Sequence, residues 1–407
     1  MEANIGSETE SQATPSENGA IAKHSAMDGI DQKNALLSFF IPDLTVGGAE
    51  QVTVNIINGL SERGYNIELL VSKRKGNLQS RIGDGVSVVE LSPSNTSVFG
   101  VAAHVVSLAR YLRRKQPAAL FSHLAHVSVV CLAVHRITGT DTAVIPTHHK
   151  SYRITTNRSL KDRIVQGLVP YLYPSAIRII AVSEGVADDI AEHTSLDRWD
   201  ISVLHNPVHV DEVRERSRQS IEHEWLDDES IGVVLFVGRI EDQKNLKAWL
   251  RAFKRIHERN PDTRAIIVGK GSRHKSVSEF AERLGIDHIV SMPGYVENPY
   301  AYMRKASVFM LSSRFEGLPT VLIESLACGC PVVATDCPSG PREILADGKY
   351  GTLAPVGDID GLVDGVIETL ADPISEDLLE KRADDFAPDS VLDDYERFLE
   401  TYVFKKP

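Results

Sequence analysis

Two glutamates eight positions apart are the residues whose types and spacing most directly suggest chemistry. Glu316 and Glu324 lie in the stretch RFEGLPTVLIESLACGCPVVAT, which runs from Arg314 to Thr335. Pro319 suits the first turn of a helix, where its missing N–H would have no partner. The two carboxylates would therefore flank a helix N-terminus, whose free N–H groups attract anions. An anion rich in hydroxyl groups, such as a nucleotide diphosphate sugar, would suit this arrangement.

A second set of charged residues precedes the glutamates in the chain. The run FVGRIEDQKNL follows a predicted strand and supplies Gly238, Arg239 and Lys244. Two cations placed after a strand could neutralise a diphosphate from one side, whereas a solvated charged turn is the competing interpretation. Because the paired carboxylates Glu316 and Glu324 belong to the same half of the chain, we favour the phosphate-binding role.

Two further motifs follow predicted strands nearer the start of the chain. In IPDLTVGGAEQV, Gly47 and Gly48 open a predicted helix and would let the backbone approach a phosphate or a sugar. A plain strand-to-helix turn would use glycine as well. In PTHHKSY, His148 and His149 follow another strand, where an ordinary surface position is the alternative to a binding role.

Other residues that resemble metal ligands have simpler explanations. Asp358 and Asp360, in GDIDGL, form an Asp-x-Asp pair before a helical pattern, where aspartates cap the helix and interact with its dipole. Cys328, Cys330 and Cys337 lack the paired C-x-x-C spacing of a zinc site. The sequence therefore predicts neither a bound metal nor another cofactor.

Short β-rich runs alternate with longer amphipathic stretches and would position these motifs. The runs ALLSFFI, NIELLV, VSVVEL, AALFS, AVIPT, IRIIAV and ISVLH read as strands, and the pattern restarts with IGVVLFVG, RAIIVG, HIVSM, SVFMLS and PVVAT. Helical patterns between most of them predict parallel sheets with crossover helices. The predicted fold class is α/β, with two doubly wound, Rossmann-like domains. Each motif follows a strand, where open α/β sheets bind ligands.

The pattern divides the chain into four segments. Residues 1–32 are polar and acidic and are predicted to be a disordered tail. Residues 33–207 form the first domain, residues 208–385 form the second, and residues 386–407 form a helix predicted to pack back on the first domain. The charged stretch from Asn206 to Glu229 is the predicted linker.

Composition limits the classes of partner and compartment. The chain has 407 residues and a formal net charge of −12, which argues against a nucleic-acid partner because such a partner would require a basic face. Residues 33–207 are nevertheless mildly basic, with 18 Lys or Arg against 14 Asp or Glu. No apolar run reaches the ~20 residues of a membrane-spanning helix. The four cysteines are too few for a secreted disulfide framework, and we expect a cytoplasmic protein.

Taken together, the ordered motifs amount to a family resemblance. VGRIEDQKN, VGKGS, GYVENPYAYMRKASVFMLSSRFEGLPTVLIESLACGCPVVAT and GPREIL resemble the retaining glycosyltransferases of family 4, the glycosyl transferases group 1. That family has the GT-B architecture, in which two Rossmann-like domains face each other across a cleft. The resemblance begins at about Ala35 and is densest from Val234 to Gly357. It implies a glycosyltransferase that uses a nucleotide diphosphate sugar as donor substrate and needs no metal.

The resemblance also implies roles for the charged residues. Glu324 would accept hydrogen bonds from the ribose hydroxyls of the nucleotide, and Glu316 would face the donor sugar. Arg239 and Lys244 would neutralise the diphosphate.

A histidine would lie near the C6 hydroxyl of the sugar, and His148 is favoured over His149. The resemblance implies further contacts from Gly47 and Gly48 as the donor-side glycine loop, Gly238 beside the diphosphate cations, Gly317, Leu318 and Thr320 around the sugar and phosphates, and Tyr295 and Val296 near the base.

The predicted reaction is transfer of a hexose or an N-acetylhexosamine, with retention, to a saccharide or lipid-linked saccharide acceptor. The run TDCPSGPREIL resembles members that use UDP-linked N-acetylhexosamines or galactose, which favours UDP over GDP. A covalent intermediate on Glu316 and same-face attack within an ion pair are both compatible with retention.

Two other interpretations accompany this prediction. A phosphorylase or an epimerase of the same fold, and a non-catalytic nucleotide-sugar-binding protein, are alternative functions. The basic, apolar-striped segment from Asn157 to Arg178 predicts peripheral contact with the inner face of an anionic membrane, and an ordinary core-facing helix is the alternative.

Overall fold

A computed structural model describes residues 32–45, 47–91, 98–150 and 160–405 of the chain. The predicted tail, residues 1–32, lies outside the described residues except for its last position. Two α/β units, each built on a parallel sheet, follow one another along the described part.

Seven parallel strands form the sheet of the first unit: β1 (Leu36–Ile41), β2 (Asn66–Val71), β3 (Val86–Glu90), β4 (Ala119–Ser122), β5 (Ala143–His148), β6 (Ile179–Ala181) and β7 (Ile201–Val203). Their order across the sheet is β3-β2-β1-β4-β5-β6-β7. Each predicted run of this half overlaps one of them. The runs are apolar throughout because helices cover both faces of the sheet.

The helices that connect these strands are α1 (Gly48–Glu62), α2 (Val98–Lys115), α3 (Ala125–Thr138), α4 (Leu160–Leu172) and α5 (Glu184–His193). Because strand side chains alternate between faces, β1 contributes to two cores. Phe39 packs in the core that contains Ile56 of α1. Phe40 packs in the core that contains Leu112 of α2 and Leu132 of α3. The sheet is therefore covered on both sides.

The second sheet has the strands β8 (Gly232–Val237), β9 (Thr263–Val268), β10 (Val290–Gly294), β11 (Val308–Leu311), β12 (Val332–Asp336) and β13 (Thr352–Pro355). Their order is β10-β9-β8-β11-β12-β13. The sequence predicted all of these except β13. That strand, TLAP, is short, half-exposed and ends at a proline, so it lacks the apolar run that identifies the others.

The remaining helices are α6 (Val210–Ser217), α7 (Glu224–Asp227), α8 (Leu246–Arg259), α9 (His274–Leu284), α10 (Tyr300–Lys305), α11 (Thr320–Ala327), α12 (Pro341–Ile344), α13 (Ile359–Ala371), α14 (Glu376–Asp384) and α15 (Pro388–Leu399). The predicted linker, Asn206 to Glu229, contains α6 and α7. Val210 and Val213 of α6 are buried, and this helix packs against α10 and α11. Most of the predicted linker is thus part of the second unit, and the high charge of α6 concealed its apolar side.

The C-terminal helix α15 packs on the first unit. Leu392 lies against α1 at Gly59, where an added Cβ would meet the Leu392 Cδ1 atom at 2.4 Å. Arg63, at the end of α1, forms ion pairs with Asp393 at 2.6 Å and Glu396 at 2.7 Å. The chain therefore returns to its first unit after completing the second. Among the described residues, the helices are all too short or too polar to span a bilayer.

Candidate active site

Glu316 lies in the loop between β11 and α11, and three donors hold its carboxylate. Lys244 Nζ lies 2.6 Å from Oε1, Ser313 Oγ donates to the same oxygen at 2.6 Å, and Gln243 Nε2 donates to Oε2 at 3.0 Å. The side chains of Glu316 and Lys244 are 8% and 12% exposed. Because an unpaired buried charge is costly, each ion keeps the other in place.

The backbone explains why Lys244 meets Glu316. Residues 242–244 form one 3₁₀ turn between β8 and α8, and Asn245 follows it with a φ of 51°, a left-handed conformation that asparagine tolerates. Ser312 Oγ donates to the Lys244 carbonyl at 2.8 Å and ties this turn to the end of β11. Two adjacent parallel strands thus deliver the cation and the carboxylate to the same edge of the sheet.

Gln243 supports the Glu316 loop from a second direction. Its Nε2 also donates to the Phe315 carbonyl at 2.8 Å, and its backbone carbonyl accepts from the Arg314 N–H at 2.9 Å. The sequence prediction did not include Gln243. The sequence offered one indication of its role, which is its position directly before Lys244.

Gly238 and Arg239 form the loop directly after β8. The Gly238 φ is 155°, and the neighbouring Gly269 has a φ of 142°. A Cβ on Gly269 would lie 1.9 Å from the Gly238 carbonyl oxygen, so only glycine fits where these two loops meet. Arg239 is exposed, and no ion pair joins its side chain to the described residues. Of the two predicted cations, Lys244 alone is in contact with Glu316.

Glu324 lies one turn into α11, which begins at Thr320 with Pro319 as its N-cap, one residue after the predicted start at Pro319. Its side chain is half-buried, and loss of hydration raises its pKa to about 7. A hydrogen bond from Thr320 and the positive charge of Lys244 oppose this rise. A ligand that donates hydrogen bonds to the carboxylate would favour its ionised form.

Gly317 is the point at which the first unit reaches the Glu316 loop. A Cβ on Gly317 would lie 2.1 Å from the His149 carbonyl oxygen, so a side chain here would clash with backbone of the other unit. Ser183 Oγ donates to the Gly317 carbonyl at 2.9 Å, and Ser339 Oγ donates to the Glu316 carbonyl at 2.7 Å. The candidate site therefore lies at the junction of the two units, with Leu318 buried beside it.

The two neighbouring histidines at the end of β5 have different surroundings. His148 is 6% exposed, its Nε2 lies 2.8 Å from Tyr173 Oη, and burial lowers its pKa to about 4. His149 meets Gly317 through its backbone, and its Nε2 lies 3.0 Å from Nδ1 of the buried His123. Burial and the neighbouring His148 lower the pKa of His149 to about 3. The sequence favoured His148, whereas the geometry places His149 at the junction.

A second contact between the units involves Glu343 of α12, which the sequence did not single out. Its Oε2 accepts the Glu184 N–H at 2.9 Å, at the N-terminus of α5, and its Oε1 lies 2.6 Å from His205 Nε2. The N–H group and the helix dipole both favour a carboxylate there. Glu343 thus holds the start of α5 beside the Glu316 loop.

The other predicted residues lie around this cluster. Gly47 is the N-cap of α1, and a Cβ on Gly48 would meet nothing within 4 Å, so that backbone is open to approach. Tyr295 is 66% exposed, and Lys270 Nζ lies 5.3 Å from the centre of its ring. Val296 next to it is half-buried. No hydrogen bond among the described residues joins these positions to Lys244 or Glu316.

The residues that resembled metal ligands have structural roles. Asp358 caps α13 by accepting the Gly361 N–H at 2.9 Å, as predicted, and Asp360 pairs with Arg255. The four cysteines are free and buried. Within the described ranges, no group of three or more His, Cys, Asp or Glu side chains has a metal-binding arrangement.

Comparisons of sequence identify the family of the chain. Two family models match the chain, Glycosyl transferases group 1 over residues 217–386 and Glycosyltransferase Family 4 over residues 46–212. The N-acetylgalactosamine-N,N'-diacetylbacillosaminyl-diphospho-undecaprenol 4-alpha-N-acetylgalactosaminyltransferase of Campylobacter jejuni is 33% identical over 205 residues, which cover 50% of this chain and 54% of that relative. The lipopolysaccharide 1,6-galactosyltransferase of Salmonella typhimurium is 28% identical over 236 residues, which cover 56% of this chain and 58% of that relative. These matches span about half the length of each relative.

Solved structures share the arrangement of two units. The lipopolysaccharide outer core galactosyltransferase WaaB, in its apo form, has a TM-score of 0.72 at 20% identity, covering 90% of this chain and 99% of that one. HepE of Anabaena in complex with UDP has a TM-score of 0.72 at 17% identity, covering 90% of this chain and 100% of that one.

Proposed function

The chain belongs to the family 4 glycosyltransferases and has the GT-B fold, and on that premise we propose that it transfers a sugar from a nucleotide diphosphate donor to a saccharide acceptor. The transferred group is a hexose or an N-acetylhexosamine, and the configuration at the anomeric carbon is retained. The observation that carries the proposal is the cluster of Lys244, Glu316 and Glu324 at the start of α11, covered by the first unit at Gly317.

The costly event in such a transfer is departure of the diphosphate. Groups that meet its growing negative charge lower the barrier, because they act more strongly on the transition state than on the donor. Lys244 has three N–H donors, so it can contact a phosphate while Glu316 holds it in place. The exposed Arg239 and the N–H groups of Gly317 and Thr320 would add to this stabilisation.

Each remaining residue contacts a different part of the donor. Glu324 would accept hydrogen bonds from the ribose, and Tyr295 with Val296 would lie near the base. Gly47 and Gly48 would approach the donor from the first unit. We assign the sugar C6 hydroxyl to His149 rather than His148, because His149 lies at the junction beside Gly317, whereas His148 bonds Tyr173 inside the first unit.

We propose that retention arises by attack on the face from which the diphosphate leaves. A carboxylate has about four acceptor positions, and Lys244, Gln243 and Ser313 occupy three of those of Glu316, which makes it a poor nucleophile. The bond from the anomeric carbon to the phosphate oxygen breaks as the bond to the acceptor oxygen forms, and the leaving phosphate takes the acceptor proton. Mass spectrometry of enzyme quenched during turnover should show no sugar attached to Glu316. A glycosylated Glu316 would exclude this route.

The relatives guide the proposed substrates. One is named for a diphospho-undecaprenol acceptor, another is a lipopolysaccharide galactosyltransferase, and the structure of HepE contains UDP. We therefore propose a UDP-sugar donor and a saccharide acceptor carried on a lipid or on a growing surface glycan. The reduced cysteines suit the cytoplasmic side of a membrane, where we place the reaction.

A panel of nucleotide sugars tests the proposal directly. The protein would be incubated with UDP-linked and GDP-linked hexoses and N-acetylhexosamines, with and without lipid-linked saccharides, and release of the nucleoside diphosphate would be measured. We expect release from a UDP-sugar that rises with acceptor, and NMR should show the donor's anomeric configuration in the product. Tight UDP-sugar binding without release under any acceptor condition would instead support a non-catalytic binding protein.

A further inference from the structure

Three helices of the first unit form a basic layer on an acidic protein. α2, α3 and α4 lie side by side, with α3 in the middle. Their sequences contain seven Lys or Arg residues and a single acidic residue, Asp162. The whole chain has a formal net charge of −12, so this layer differs sharply in sign from the average surface.

The same layer carries an unusual apolar stripe. Leu160, Ile164, Leu168 and Tyr171 recur every three or four residues on α4, which places them on one side of the helix. They are 73%, 55%, 41% and 75% exposed, whereas Val169 of the same helix is fully buried in the core. α4 therefore has an apolar side facing the core and a second apolar side facing solvent. Ordinary packing explains only the first.

The two neighbouring helices add further exposed apolar side chains and positive charge. Val106 of α2 and Ile137 of α3 are also exposed, so these three helices hold six of the ten large exposed apolar side chains among the described residues. Arg113 and Arg114 of α2 and Arg136 of α3 are exposed as well. Large apolar side chains that are exposed on one layer of helices and bordered by polar residues are typical of an interaction site.

The topology relates this layer to the candidate active site. Each of the three helices connects two parallel strands that are consecutive in the chain. All three helices therefore run antiparallel to the strands. Arg114 and Arg136 therefore lie towards the amino ends of the strands. Leu160, at the start of α4, lies towards the carboxyl ends, where His149 follows β5. The stripe on α4 thus extends from the basic end of the layer towards the junction of the two units.

We propose that the outer face of α2, α3 and α4 docks on an anionic lipid bilayer. Exposed apolar side chains on a basic helical surface suit the boundary between lipid headgroups and acyl chains, where arginines pair with lipid phosphates. A second copy of this chain fits less well, because a symmetric contact would set this basic face against itself. The acidic remainder of the protein would be repelled by the same membrane, which fixes the orientation.

This inference deepens the proposed function, because it names the surface that would bring the cleft to a lipid-linked acceptor. It depends on the proposed function only in assuming that the acceptor is lipid-linked. Vesicle binding needs no sugar transfer, so a failed docking experiment and a failed transferase assay are distinguishable.

Flotation with vesicles of phosphatidylcholine, alone or mixed equally with phosphatidylglycerol, tests the docking. We expect binding to the mixed vesicles that weakens as salt is raised. The double variant Arg113→Gln/Arg114→Gln should bind about thirtyfold more weakly, since one basic residue near an anionic surface contributes about a factor of five. The double variant Ile164→Asn/Leu168→Asn should lose at least about tenfold through the apolar contact.

Matched controls use exposed residues of the second unit. Lys275→Gln/Lys381→Gln removes two positive charges, and Val356→Asn/Leu378→Asn removes two exposed apolar side chains. Both should bind mixed vesicles like the unsubstituted protein, and all four variants should keep its unfolding temperature because the replaced side chains are exposed. Equal binding to both vesicle types, no binding, or equal losses in the controls would overturn the proposal. Dimerisation abolished by Ile164→Asn/Leu168→Asn would assign the surface to a second copy instead.

Discussion

The two sheets reach the junction of the two units with edges of different chemistry. The edge of the second sheet carries a closed charged network, in which Lys244, Gln243 and Ser313 all bond the Glu316 carboxylate within 3.0 Å. The edge of the first sheet contributes two neutral histidines, and the first unit touches the Glu316 loop through the His149 backbone and a hydrogen bond from Ser183 to the Gly317 carbonyl. We infer that the second unit supplies most of the charge stabilisation, while the first unit covers and shapes the site.

Replacement of Lys244 should therefore have the largest effect. Lys244→Ala is expected to lower kcat about a hundred- to a thousandfold, which corresponds to ~2.7–4 kcal/mol for one lost charge-stabilising donor. Turnover would be measured at saturating donor, below the unfolding temperature of the variant. Lys247→Ala is the matched control, because this lysine lies on an exposed position of the same helix start. Near-native turnover by Lys244→Ala would contradict the inference that the second unit supplies most of the charge stabilisation.

Replacement of Gln243 tests whether the network must be held in one geometry. Gln243→Ala leaves the Phe315 carbonyl and one oxygen of Glu316 without a donor. Because an unsatisfied buried group costs ~1–3 kcal/mol, we expect kcat to fall about tenfold. A positioning role predicts a fall in kcat with little change in KM for the donor. A change in unfolding temperature with no change in kcat would show that Gln243 is structural only.

The pH dependence of UDP binding tests the ribose assignment. Glu324 has a pKa raised to about 7, and hydrogen bonds from a ribose would require its ionised form. Affinity should therefore rise about tenfold between pH 6 and pH 8, as the ionised fraction grows from about a tenth to about nine tenths. Isothermal titration calorimetry would measure it, and Glu324→Gln should lose this dependence. An unchanged pH dependence in that variant would assign the titration to another group.

The same raised pKa affects stability. The folded state holds the Glu324 proton to a higher pH than the unfolded state, where the ordinary pKa is 4.5. This group should therefore lower the free energy of unfolding as pH rises from about 4.5 through 7. Glu324→Gln should flatten that part of the profile measured by denaturant unfolding.

The two histidines of the first unit should show the smallest effects on rate. Both substitutions should lower the unfolding temperature, because His149 contacts His123 and His148 contacts Tyr173. His149→Ala should also reduce kcat/KM several-fold, whereas His148→Ala should leave kcat/KM nearly unchanged. The low pKa values of about 4 and about 3 keep both rings neutral above pH 5, so neither should titrate in the rate profile there. The opposite pattern, with the rate loss in His148→Ala, would restore the prediction made from the sequence.

Several parts of the molecule were predictable because their signals are local. The start of α11 follows from Pro319 and the strands on either side, and the capping role of Asp358 follows from its place before a helical pattern. The missed elements had weak local signals. β13 is four residues long, and the charged residues of α6 hid the two buried valines that attach it to the second unit.

The sequence by itself determined which charged residues follow which strands. Strands and helices can be recognised from the periodicity of neighbouring residues and from the positions of glycine and proline, and these signals are local in the chain. Only the tertiary structure decided that Lys244 bonds Glu316, that His149 rather than His148 reaches the junction, and that Leu392 of α15 packs at Gly59 of α1. Those outcomes depend on partners distant in the chain, whose approach is set by packing and by the cost of burying an unpaired charge.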